Sequence, residues 1–195
     1  MYYNIIVLHH FYGYPALMDK TANDIRYAHL LHLLDNLSGF DVPNTLIFCN
    51  TLPEDERMNA IKDLSKNEGR LAWIDYEDEH SIEYLLSKRK YALSKRPIHN
   101  PSNTNVIIAG TNTSGCILYN SELSVKKWTD LDFNVQVCLS MCADYQSDGI
   151  NGAEKNQKAA VRFYQYIKKH NLISKVDMVY NANHLELRNN DDRLG

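Results

Sequence analysis

Long apolar runs are missing from this chain. Its hydrophobic stretches, Ile5–Leu8, Val106–Ala109 and Ile117–Tyr119 among them, fall far short of the roughly 20 residues a helix needs to cross a bilayer. The opening Met1-Tyr2-Tyr3-Asn4 lacks the basic and long apolar segments of a secretory signal, so none is expected. A strong charge of one sign is also missing. The formal net charge is -3, which points to neither a nucleic acid nor an acidic membrane surface as partner. Cysteine is sparse, with four residues, no CxxC and no zinc-finger spacing to histidine. Reduced thiols in a cytoplasm are therefore the expectation. The eight glycines form neither Gly-x-Gly-x-x-Gly nor a phosphate loop with its lysine, so a nucleotide cofactor has no support.

What is present suits a globular fold. The 195 residues are 44% hydrophobic and 23% charged, enough for one domain over 1–195 with a sizeable core and a polar tail at about 188–195. No repeat, low-complexity tract or linker interrupts it.

Strand-length apolar segments alternate with helical patterns. Tyr3 to Leu8, Thr45 to Cys49, Leu71 to Asp75, Asn105 to Gly110, Asn134 to Leu139 and Lys175 to Tyr180 read as strands. Helices are expected from about Thr21 to Leu37, from Pro53 onward, from Cys116 to Trp128 and from Ala153 to His170. This alternation predicts an α/β fold, a three-layer α/β/α arrangement around a mostly parallel, Rossmann-like sheet. Ligands in such sheets bind beyond the carboxyl ends of the strands. The ends of the first and fourth strands, His9-His10 and Gly110 to Cys116, thus mark the expected site.

The segment Val106-Ile-Ile-Ala-Gly-Thr-Asn-Thr-Ser-Gly-Cys116 is a buried strand, a turn of small residues and a cysteine opening a helix. Free N–H groups and a partial positive charge at a helix start stabilise a thiolate and can hold an oxyanion. A buried cysteine placed there for packing is the competing reading. The segment resembles the isochorismatase-like cysteine hydrolases, and the likeness continues through Val135-Gln-Val-Cys-Leu-Ser-Met-Cys-Ala-Asp144. The resemblance implies that Cys116 is the nucleophile and that the backbone N–H groups of Asn112 and Cys116 form the oxyanion hole. It also implies a cis peptide between Thr111 and Asn112, a Lys, an Asp base and no cofactor. Ser87-Lys88-Arg89-Lys90-Tyr91 offers Lys88 as the family's Lys, with Lys90 as fallback; a solvated basic run is the plain alternative.

One position departs from the family. Its first strand ends in Asp, whereas here Leu8 is followed by His9, His10 and Phe11. If His9 deprotonates Cys116, the site is an imidazolium–thiolate pair that hydrolyses a small amide or related C–N bond. If the base is lost, the chain is a non-catalytic relative that binds a small molecule or a protein. A slipped alignment would put His10 in the pocket instead. The resemblance further implies a homo-oligomer with a small-molecule substrate. A metal is not expected, since His29 and His32, three apart on a helix, have no third ligand in view. Tyr12, Tyr14 and Tyr119 are candidates for an aromatic pocket lining or for ordinary packing.

Overall fold

The computed structural model describes residues 3–9, 26, 28–33, 44–50, 71–77, 79–88, 101–111, 113–143, 152–180 and 185. Six strands organise the chain: β1 (Tyr3–His9), β2 (Asn44–Cys49), β3 (Leu71–Asp75), β4 (Thr104–Thr111), β5 (Asn134–Ala143) and β6 (Val176–Val179). They form one sheet in the order β3-β2-β1-β4-β5-β6, and every neighbouring pair is parallel. All residues of β1 and β4 are buried, as strands covered on both faces must be.

Strand alternation divides the core in two. Tyr3, Ile5 and Val7 of β1 join Phe48, Val106, Ile108, Val135 and Val137 on one face. Over that face pack Ile82 and Leu85 of the helix Ile82–Lys88, Ile117 and Leu118, Trp128, and Phe163 and Ile167 of the long helix Gly152–Lys169. On the other face Ile6, Leu8, Ile47, Ile107 and Ala109 lie under Leu30 and Leu33 of the helical residues 28–33. Helices therefore cover both faces, giving the expected three layers. Each of these side chains, buried in full, is worth about 1.5–3 kcal/mol. No helix among the described residues is long and apolar enough to cross a membrane.

The expected strands all form. The expected single helix from Cys116 to Trp128 does not. A π-helix runs over Thr113–Asn120 and an α-helix over Val125–Asp130, with a turn between. Serine chemistry explains the break. The Ser121 hydroxyl accepts a hydrogen bond from the Leu123 N–H at 3.1 Å, and the Ser121 carbonyl accepts one from the Ser124 N–H at 3.1 Å. These local bonds compete with the helical ladder. β5 is longer than expected because its register with β4 shifts between Ile108 and Gly110, which lets a bulged strand run on to Ala143. The expected helix from Pro53, the second basic-run residue Lys90 and the polar tail lie outside the described residues.

The order of strands decides where a ligand can sit. β1 is followed outward by β2 and β3 on one side, and the chain then returns to place β4 against the other side of β1. Connections leave β1 and β4 in opposite directions, which makes their carboxyl ends the switch point where sheets of this kind bind ligands. The residues paired there are His9 and Gly110.

Candidate active site

His9 ends β1 on the face shared by Tyr3, Ile5 and Val7, and only 3% of it is exposed. Its Nδ1 lies 2.8 Å from the Tyr76 hydroxyl, with the two rings near-parallel at 21° and 6.3 Å between centroids. Tyr76 follows β3 directly. Its N–H donates to the Cys49 carbonyl at 3.0 Å, and the Asn50 N–H donates to the Leu8 carbonyl at 3.0 Å. These bonds carry the parallel ladders one step past the strand ends. Tyr76, Asn50 and His9 thus stand in a row that continues through Gly110 and Cys142. With strands about 4.8 Å apart, Tyr76 and His9 belong to backbones roughly 10 Å apart, and their side chains meet above Asn50.

Gly110 occupies its place for a steric reason. Its φ is +142°, and a Cβ there would fall 1.9 Å from the His9 carbonyl oxygen. Only glycine adopts that backbone and lets β4 lie so close to the end of β1. Beyond it, Thr111 is buried and its hydroxyl accepts a hydrogen bond from Arg26 Nη2 at 3.4 Å. Arg26 Nε also donates to the Met141 carbonyl at 3.3 Å. One buried guanidinium therefore ties together the ends of β4 and β5.

Cys116 lies in the first turn of the π-helix, and its carbonyl accepts the Ser121 N–H at 3.3 Å, the wide closure of that helix type. Among the four cysteines it alone is partly exposed; Cys49, Cys138 and Cys142 are buried. Burial also pushes the Cys138 thiol above its ordinary pKa, partly offset by a 3.4 Å hydrogen bond with the Ser140 hydroxyl. The partly exposed cysteine is thus Cys116, on the helix that follows β4.

The remaining candidates fall in different places. Lys88 ends its short helix exposed, with its ammonium 4.4 Å over the Tyr84 ring. Asn112 and His10 lie outside the described residues, and with Asn112 the peptide bond to Thr111. His29 is 2.7 Å from the Ser140 hydroxyl through Nδ1, while His32 is exposed, so the pair does not converge on a shared ligand. Tyr119 stacks on Tyr166 of the long helix, 5.5 Å between centroids, as packing predicts. Tyr12 and Tyr14 are outside the described residues. Sequence reasoning missed Tyr76 and Arg26. The signal for Tyr76 was its place one residue past a strand, at the edge where parallel sheets bind ligands. Arg26 carried no signal short of three-dimensional contact.

The chemistry available to His9 depends on its tautomer, since a neutral imidazole donates through one nitrogen and accepts through the other. With Nδ1–H donating to the Tyr76 oxygen, Nε2 holds the basic lone pair. With the phenol donating to Nδ1, Nε2 carries the proton and the ring is a poor base. Either way burial disfavours the charged ring unless a partner such as a thiolate compensates.

No family model matches the chain, and no curated protein matches it in sequence. Its fold is similar to that of the nicotinamidase SaPncA from Staphylococcus aureus, with a TM-score of 0.57 and 12% identity over 95% of this chain and 100% of that one. An N-carbamoylsarcosine amidase from Thermoplasma acidophilum compares at 0.49, with 7% identity over 96% of this chain and 100% of that one. An isochorismatase-like hydrolase from Alkaliphilus metalliredigens also compares at 0.49, with 10% identity over 94% and 96%. The likeness to the nicotinamidase is one of fold: the three-layer α/β/α arrangement around a parallel sheet, expected from the sequence, is the fold this chain has.

Proposed function

We propose that this protein is a thiol hydrolase of a small amide or related C–N bond, with Cys116 as nucleophile and His9 as its base. The observation that supports the proposal is that the one partly exposed cysteine lies in the first turn of the helix that follows β4, the strand that pairs with β1 as far as His9. Fold does not imply function, so the scheme stands on those groups. The name of the nicotinamidase with a similar fold is consistent with an amide substrate.

In this scheme the Cys116 proton passes to His9. The thiolate attacks the carbonyl carbon, and the C–N bond breaks with the amine taking the proton from His9. Water, deprotonated by the same imidazole, then cleaves the thioester and releases the acid. The developing oxyanion is assigned by resemblance to the backbone N–H groups of Cys116 and of Asn112, the latter outside the described residues. Lys88 joins the scheme only by leaving the Tyr84 ring. A second protomer, if the chain associates with itself, is not needed for any step.

A second reading has its own observation: His9 is 3% exposed, its Nδ1 is engaged by a phenol, and its Nε2 is buried with no hydrogen-bond partner among the described residues. On that reading the site binds a small molecule without turning it over. Incubation with a panel of small amides, acid quench and mass spectrometry of the Cys116 peptide separate the two. Hydrolysis predicts an acyl adduct on Cys116 and no turnover in Cys116→Ser. Equal turnover in both proteins, or none with any amide, overturns the hydrolase proposal.

A further inference from the structure

We propose that Tyr76 is a positioning residue that fixes the His9 tautomer, its oxygen accepting the Nδ1 proton so that Nε2, buried without a hydrogen-bond partner among the described residues, carries the lone pair. The inference rests on the reading of His9 as the base of Cys116. Three observations carry it. The Nδ1 to hydroxyl distance is 2.8 Å, and both residues are buried, His9 at 3% and Tyr76 at 5% exposure. Tyr76 is itself locked, since its N–H continues the β2–β3 ladder through the Cys49 carbonyl. It also reaches His9 along the sheet row, from the side opposite Gly110.

The proton inventory favours this arrangement. In the reaction proposed above, the sulfur–hydrogen bond breaks and the proton binds the imidazole lone pair, leaving a thiolate and an imidazolium. With Nδ1–H directed at the phenol oxygen, that lone pair is on Nε2, and the Nδ1 bond survives unchanged in the charged ring. With the phenol donating instead, the sole lone pair is already occupied by Tyr76. Proton uptake would then require the hydroxyl to rotate away inside a buried row. A carboxylate fills this orienting role in many histidine-based sites; here a neutral phenol takes it, and the charge on the ring is balanced by the thiolate.

The other titratable groups around His9 are few among the described residues. Cys142 lies along the same row beyond Gly110, Cys116 lies on the helix that follows β4, and Tyr3 stands at the far end of β1. Asp75 precedes Tyr76 and is exposed, accepting a hydrogen bond from the Trp73 indole at 2.9 Å. Arg26 is engaged with Thr111 and Met141.

The first test is nitrogen-15 spectroscopy of the histidine rings in Cys116→Ser protein, at a pH where the ring is neutral and no thiolate charges it. The His9 signals are assigned by their loss in a His9→Gln variant. A proton on Nδ1 with a bare Nε2 is expected, and a proton on Nε2 overturns the proposal without need of any change at Tyr76. The second test is Tyr76→Phe, which removes the hydroxyl and keeps the ring. Cys116 alkylation at pH 7 should fall roughly fivefold, the scale of one neutral hydrogen bond, and its pH midpoint should move up toward that of a free thiol. An unchanged alkylation profile overturns the proposal. The parent reading fails separately: if His9→Ala leaves Cys116 alkylation as in wild type, His9 is not the base whatever its tautomer.

Discussion

Replacing Gly110 with alanine tests the close approach of the ends of β1 and β4. The added methyl would meet the His9 carbonyl oxygen at 1.9 Å, its carbon at 2.7 Å and its nitrogen at 2.9 Å, all of them backbone atoms that cannot rotate away. The φ of +142° adds a conformational cost for any residue with a Cβ, of about 1–3 kcal/mol. Relief requires the carboxyl ends of β1 and β4 to separate, and overpacking of this kind costs about 1–3 kcal/mol more. Together the two come to about 4 kcal/mol. For a chain of this size, each kcal/mol lowers the melting temperature by roughly 2–4 °C, so a fall of about 12 °C is expected. Urea unfolding should show a lower midpoint at the same slope, because the unfolded chain exposes the same surface. A loss of less than 1 kcal/mol would refute the reasoning, and would mean that β4 does not lie against the end of β1 in the manner described.

Substitutions at three further positions probe the packing of the chain. Trp128 is fully buried against Phe133, and its indole N–H has no hydrogen-bond partner among the described residues. Trp128→Phe should therefore cost about 1–2 kcal/mol in chemical denaturation while Trp128→Ala costs about 3–5 kcal/mol; equal losses would contradict this. Arg26→Leu removes the ties to Thr111 and Met141 and should destabilise by about 2 kcal/mol, with an unchanged melting temperature as the contrary result. Cys138 has a folded-state pKa raised by burial, so the folded protein holds that proton where the unfolded chain releases it. Its contribution is complete below the unfolded value of about 8.5 and is lost as pH rises toward the folded one, so stability should decline above about pH 8.5. Cys138→Ala should flatten that decline in melts taken from pH 7 to 10, and an identical slope would argue against it.

Much of the architecture was legible because parallel strands buried on both faces write themselves as apolar runs. Tyr3 to Leu8 and Asn105 to Gly110 became the two central strands for that reason. That a helix follows β4 was legible too, though it begins at Thr113 rather than at Cys116. What escaped is non-local or hidden in polar detail. The break between the π-helix and the helix Val125–Asp130 depends on hydrogen bonds of Ser121, which periodicity does not register. The bulge in β5 depends on how it docks against β4. Lys88 was singled out by a resemblance in a basic run, yet its exposed ammonium rests on Tyr84, one turn back on its own helix. The contact between Tyr76 and His9 joins residues far apart in the chain, through strands whose order no local pattern reveals.

The central claim, that Cys116 is a nucleophile served by His9, is tested most directly by the pH dependence of Cys116 alkylation in wild type and His9→Ala. Cys116→Ser supplies the background from the three buried thiols. A reactive thiolate present well below the ~8.5 of a free cysteine, and lost when His9 is removed, is the predicted result. An ordinary, slow thiol with the same profile in both proteins would contradict it.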